Sequence, residues 1–184
     1  MSSFPPAARN VIQQNGVWIV KDASANKCGV ITSSYEIISG LLLDEDEFKA
    51  VKPVLVKQVM EILKNRAVQE ADWLYSRFRE TKTPMTELTD KLSREINANN
   101  VTITAYLQAH PEYVTEELLL SHLPGVFRQD YPGRCSRLPE EYRVAIAAVE
   151  LACRTVYAAD KTDLGLRLQM VMNDKEKASL KRRK

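Results

Sequence analysis

Residues 17–43 read VWIVKDASANKCGVITSSYEIISGLLL, and the pattern changes character twice within that span. Val17 to Lys21 is a short run of β-branched and aromatic residues between Gly16 and Asp22, the signature of a buried strand. Asp22 to Gly29 gathers small and polar residues and reads as a loop. From about Ile31 to Leu43, the residues Ile31, Tyr35, Ile38 and Leu42 recur at helical spacing. Strand, polar loop and helix in that order place a loop at the carboxyl end of a strand, the usual ligand edge of an open α/β sheet.

The residue types in this stretch suit ligand contact. The Asn26 amide can donate and accept, and Gly29 lets a ligand approach the backbone. Ser33 falls one turn inside the expected helix, where N–H groups and a hydroxyl suit a carboxylate or phosphate oxygen. An Asx-turn and capping cluster that merely closes a loop would use the same residues, and their chemistry leaves both readings open.

Outward from this stretch the chain reads as helices. Pro5 to Asn15 suits a short helix stopped by Gly16 in a left-handed C-cap. The Asp44–Glu47 acidic run is read as the first turn of the Phe48 segment rather than a cation site, since no glycine stands at loop spacing. Pro53 to Glu80 carries a long apolar stripe. Thr83 as N-cap with Pro84 at N1 should open a helix towards Gln108, with Asn97–Asn100 as its point of interruption. Thr115 can cap a shorter helix, and Pro139 opens one whose stripe runs through Tyr142, Ala145, Ile146, Val149, Ala152, Cys153 and Val156. Trp18 and Trp73 are expected in the core. The fold class expected is mainly α, with one or a few strands.

Composition narrows the function. With 45% hydrophobic and 27% charged residues in 184, the chain can bury a core and should fold. The last ten residues, KEKASLKRRK, carry a net charge of +5 against +2 for the whole chain, so the remainder sums to about −3. Nucleic-acid binding is therefore disfavoured for the body and would rest on the tail alone. The three cysteines, Cys28, Cys135 and Cys153, show no C-x-x-C spacing and only His110 and His122 accompany them, which argues against a disulfide framework or a zinc site. Both histidines fall near expected helix ends and read as structural. No glycine falls in G-x-G-x-x-G or G-x-x-x-x-G-K-[ST] register, and no nucleophile elbow is present. No apolar run approaches a membrane span and no signal peptide is evident, so the expected setting is intracellular, either cytoplasmic or mitochondrial.

The string KDASANKCGVITSSYEIISGLLL resembles a segment of the NAD-specific glutamate dehydrogenases of the large-subunit type, with the pattern K-D-x-S-A-N-K-x-G-V-x-x-S-S-x-E. SFPPAARNVIQQNGVWIV before it is similar to that family's approach helix and strand; the likeness runs strongly over residues 3–48 and then fades. The resemblance implies that Asn26 lies by the nicotinamide end of NAD, with Gly29 in the adjoining turn, and that Ser33 helps hold a carboxylate of glutamate. Glu36 matches a family glutamate on the same helix. It further implies hydride transfer from the α-carbon of glutamate to the coenzyme, then hydrolysis of the imine to 2-oxoglutarate and ammonia. Nothing in this chain matches the family's catalytic lysine and aspartate or its Gly-rich coenzyme turn, so no catalytic residue is assigned and the chain alone is not expected to turn over.

These readings divide the chain into a strand-loop-helix piece of a Rossmann-like coenzyme domain (1–48), a helical C-terminal region (49–174) and a basic tail (175–184). The expected function is the C-terminal part of an NAD-dependent glutamate dehydrogenase, working with other protein chains or with the rest of the enzyme. The alternative is a non-catalytic structural subunit derived from such an enzyme within a larger assembly.

Overall fold

The computed structural model describes residues 5–25 and 27–157. Eight α-helices and two 3-10 turns follow one another through those residues, and no strand occurs among them. The mainly α expectation is met.

Helix α1 (Pro6–Gln14) ends where expected, with Gly16 at φ 84° in the left-handed region that a Cβ would strain. Val17 to Val20 then runs without regular structure, which corrects the strand expected at Val17–Lys21. A strand is defined by its ladder, and no described segment offers the backbone groups to pair with it. Trp18 consequently lies on the surface, 58% exposed, edge-on to Tyr75 and Phe78 with ring centroids 5.5 and 5.6 Å away. Its placement in the core is corrected by the same fact.

The polar loop expected at Asp22–Gly29 is also corrected. The short helix α2 (Asp22–Ala25) takes its place, and α3 (Lys27–Leu42) begins about a turn earlier than the apolar spacing indicated. Alternating small residues carry no apolar periodicity, yet Ala and Ser do not oppose helix, so periodicity alone could not see this part.

Helix α4 (Glu45–Thr81) has 37 residues and so reaches about 55 Å at 1.5 Å per residue. Its start is a reciprocal cap: the Glu47 N–H donates to the Asp44 carboxylate at 2.9 Å, and the Asp44 N–H donates to Glu47 Oε2 at 3.0 Å. The acidic run is thus a helix start, and Pro53 lies inside α4 rather than opening it. Lys82, at φ 56°, ends α4 with its N–H on the Phe78 carbonyl. Helix α5 (Met85–Ala109) is capped by Pro84, not Thr83, and passes through Asn97–Asn100 without a break. The Asn99 amide donates to Thr155 Oγ1 at 3.3 Å instead of competing for its own backbone.

Pro111–Tyr113 forms a 3-10 turn, and α6 (Glu116–His122) starts on the Thr115 hydroxyl, which accepts from the Leu118 N–H at 3.2 Å. The short α7 (Gly125–Gln129), a 3-10 turn at Arg134–Arg137 and α8 (Glu140–Tyr157) complete the described chain. Helix α8 lies principally along α5. Ala147, Ala148 and Ala152 are fully buried on it, and such small side chains allow close helix approach.

Tyr35, Ile38 and Leu42 of α3 share one apolar cluster with Val51, Leu55, Val59 and Leu63 of α4. Leu107, Leu119, Phe127 and Ile146 close the same cluster from the other helices. The inner face of α3 is therefore fixed by the helical body. Its outer face, with Val30 at 75% and Ile37 at 55% exposure, is not. The basic tail lies outside the described residues.

Candidate functional site

Asn26 lies outside the described residues, whereas Gly29 and Ser33 both sit on the exposed side of α3. They are four residues apart and so occupy one face, about a turn from each other. A Cβ built on Gly29 would meet nothing within 4 Å, so the backbone there is open to an approaching group. The Ser33 hydroxyl donates to the Gly29 carbonyl at 3.2 Å. Thr32 and Ser34 make the same bond to Cys28 and Val30, at 2.8 and 3.1 Å. Each oxygen keeps lone pairs for an incoming donor, and each proton is released by one χ1 rotation. Because α3 starts at Lys27, Ser33 stands nearly two turns inside the helix, and the open N–H groups of the helix start lie nearer Gly29 than Ser33.

Two polar links hold the segment that leads into α3. Lys21 Nζ forms an ion pair with Asp90 Oδ1, and Ser24 Oγ donates to Thr89 Oγ1 at 3.3 Å. Beneath them is a cleft of about 120 Å³, lined by Ser24, Ala25, Cys28, Ile31, Arg66 and Glu70 among others. The Cys28 thiol is exposed, and none of Cys28, Cys135 and Cys153 forms a disulfide.

A second polar cluster, which sequence reasoning missed, joins α4, α6 and α8. His122 Nδ1 stands 3.0 Å from Glu150 Oε2 and 3.2 Å from Arg66 Nη2, and Arg154 Nε donates to Glu150 Oε1 at 2.8 Å. Burial pushes the Glu150 carboxyl up, but the hydrogen bonds from His122 and Arg154 outweigh it and leave the group below its ordinary value. Tyr157 donates to the buried Glu70 carboxylate at 3.2 Å, and burial, reinforced by that negative charge, raises the phenol well above its ordinary range. These groups satisfy one another, which is the arrangement of a structural network rather than of a poised acid or base. Apart from the Glu150–Arg154 pair, four positions apart on α8, the bonded partners lie 28 to 87 positions apart, and no local spacing announces them. The one signal was His122 beside Leu119 and Leu123 on an apolar face.

No group of three or more His, Cys, Asp or Glu is placed to hold a metal ion among the described residues, and none of their helices is long and apolar enough to cross a membrane. The Gly29–Ser33 face presents hydroxyls and open backbone on the exposed side of α3. The chain has no Gly-rich turn to cradle a pyrophosphate.

A sequence model of the glutamate/leucine/phenylalanine/valine dehydrogenases matches residues 3–106. The chain is 33% identical over 167 residues to glutamate dehydrogenase 2 of Dictyostelium discoideum, covering 84% of this chain and 16% of that protein. It is 30% identical over 164 residues to the probable NAD-specific glutamate dehydrogenase of Schizosaccharomyces pombe, covering 82% and 15%. With the NAD-specific glutamate dehydrogenase of Saccharomyces cerevisiae the identity is 27% over 167 residues, covering 82% and 15%. The chain thus spans about a sixth of the length of the curated relatives it matches. No solved structure matches.

Proposed function

The chain belongs to the glutamate/leucine/phenylalanine/valine dehydrogenase family, and from that premise we propose that it is the C-terminal part of an NAD-dependent glutamate dehydrogenase. It supplies part of a site for the oxidative deamination of L-glutamate to 2-oxoglutarate and ammonia. Asn26 and Gly29 serve the coenzyme and Ser33 serves a glutamate carboxylate. The catalytic lysine and aspartate and the pyrophosphate cradle come from another chain or from the rest of the enzyme. Residues 1–48 then belong to the coenzyme domain. The setting is intracellular, cytoplasmic or mitochondrial.

The observation that carries this reading is the exposed Gly29–Ser33 face on a helix whose opposite side is locked into the core. An exposed set of small and hydroxylated residues on a rigid element contributes nothing to the fold, and it is what a ligand-contacting surface requires. The test is Ser33→Ala in the complete enzyme that contains this chain. Glutamate KM should rise about tenfold, the loss of one hydrogen bond to a charged group. An unchanged KM and kcat would defeat the assignment.

A second reading, a non-catalytic structural subunit, is favoured by the exposed Val30, Ile37 and Trp18, which suit burial against partner chains. Composition of the native particle separates the two. A companion chain with a Gly-rich turn and a catalytic lysine supports the enzyme, and a large assembly without one supports the building block.

A further inference from the structure

Residues 28–34 of α3 include no buried side chain; Ile31 is half-buried and the others are exposed. The first fully buried side chain is Tyr35. The end of α3 that bears Gly29 and Ser33 therefore has a single half-buried apolar contact of its own, Ile31 against the core cluster. Further hold comes from outside the helix.

That role falls to one face near the start of α5. Thr86, Thr89 and Asp90 stand at i, i+3 and i+4, and each reaches a different part of the segment before α3. Thr86 Oγ1 donates to Gln13 Oε1 of α1 at 3.0 Å. Thr89 Oγ1 accepts from Ser24 of α2 while donating to the Met85 carbonyl at 2.9 Å, so both functions of a hydroxyl only 2% exposed are engaged. Asp90 pairs with Lys21. The platform is itself rigid, because Met85, Leu88 and Leu92 beside it are buried and α5 lies along α8.

We propose that Thr89 and Asp90 are positioning residues: through Ser24 and Lys21 they set the place of the Gly29–Ser33 face. This rests on the function proposed above, since only there does the exact place of that face matter. Neither residue touches the ligand. Asp90 lies 64 positions beyond Asn26 in the sequence.

The test is amide hydrogen exchange on the 184-residue chain with Asp90→Asn, which keeps shape and removes charge. Amides of residues 22–31 should exchange about three- to fivefold faster, the effect of losing a half-exposed ion pair. Amides of 144–152 in α8 should be unchanged, and the swapped pair Lys21→Asp with Asp90→Lys should restore protection. Unchanged exchange at 22–31, or equal acceleration throughout, would overturn the proposal. In the complete enzyme, Asp90→Asn should raise glutamate KM about threefold with kcat within about twofold, on the same scale. A KM that responds to Ser33→Ala but not to Asp90→Asn removes the positioning role alone. A KM that responds to neither, with faster exchange at 22–31, removes the functional reading and leaves the tether standing.

Discussion

The Tyr35 hydroxyl donates to the backbone carbonyl of His122 at 2.9 Å, joining the helix that bears the candidate site to the last turn of α6. Both residues are buried and their rings lie 5.6 Å apart. Burial raises the Tyr35 phenol, so the proton that makes this bond is held throughout the physiological range. Tyr35→Phe keeps the ring and removes the bond, at a cost of about 1–2 kcal/mol. Urea unfolding should show a lower midpoint with an unchanged slope.

Glu47 and Arg134 give a pH dependence with a definite sign. The Arg134 guanidinium grips the Glu47 carboxylate through two bonds, of 2.9 and 2.5 Å, and with the Asp44 N–H holds its pKa down from 4.5 to about 2. A depressed carboxyl stabilises the fold above its unfolded value, so the contribution is complete above 4.5 and is lost as the pH falls towards 2. Thermal unfolding at stepped pH should show the wild type losing stability across that interval, and Glu47→Gln should flatten this part of the profile.

Glu150 sits between His122, Arg66 and Arg154. Removing this acid takes the carboxylate partner from the Arg66 and Arg154 guanidinium groups. Glu150→Ala should therefore destabilise by about 3 kcal/mol, more than loss of an exposed ion pair. Lys49→Ala, which breaks the exposed pair with Glu45, is the comparison and should change stability by about 0.5 kcal/mol or less.

Close packing of α8 on α5 predicts intolerance of volume rather than of polarity. Ala148 is fully buried, and Ala148→Leu should cost about 1–3 kcal/mol by overpacking. Ala145, on the outer side of α8, should accept leucine with little effect on the melting temperature.

Ser33→Ala removes an exposed hydroxyl whose one recorded bond is to its own helix. Its effect on the stability of this chain should stay within about 0.5 kcal/mol. That result makes a KM change in the complete enzyme attributable to ligand contact.

Helices were legible wherever apolar residues recur at helical spacing. The helices of the α4 and α8 stripes and the cap at Thr115 follow from local chemistry, and the structure keeps them, although Tyr75, Tyr142 and Ala145 of those stripes face outward. The acidic run before Phe48 was read as a helix start for the reason the structure displays, a carboxylate meeting free N–H groups. Where periodicity was silent, the reading slipped. Small residues at 22–29 looked like a loop because they lack apolar spacing, yet they are helical wherever described. The cap falls one residue later than read because Pro84 itself stays extended, at ψ 139°, and the helix begins at Met85.

The sequence by itself determined the family, the mainly helical class and the identity of the candidate contact residues, because each is written in a contiguous string. Only the tertiary structure decided that Val17–Val20 stays unpaired, that Trp18 faces outward, and that Asp90 and Thr89 hold the approach to α3. Pairing of a strand, exposure of a side chain and the meeting of residues 69 or 65 positions apart depend on what the rest of the chain brings near. Local propensity contains no information about that.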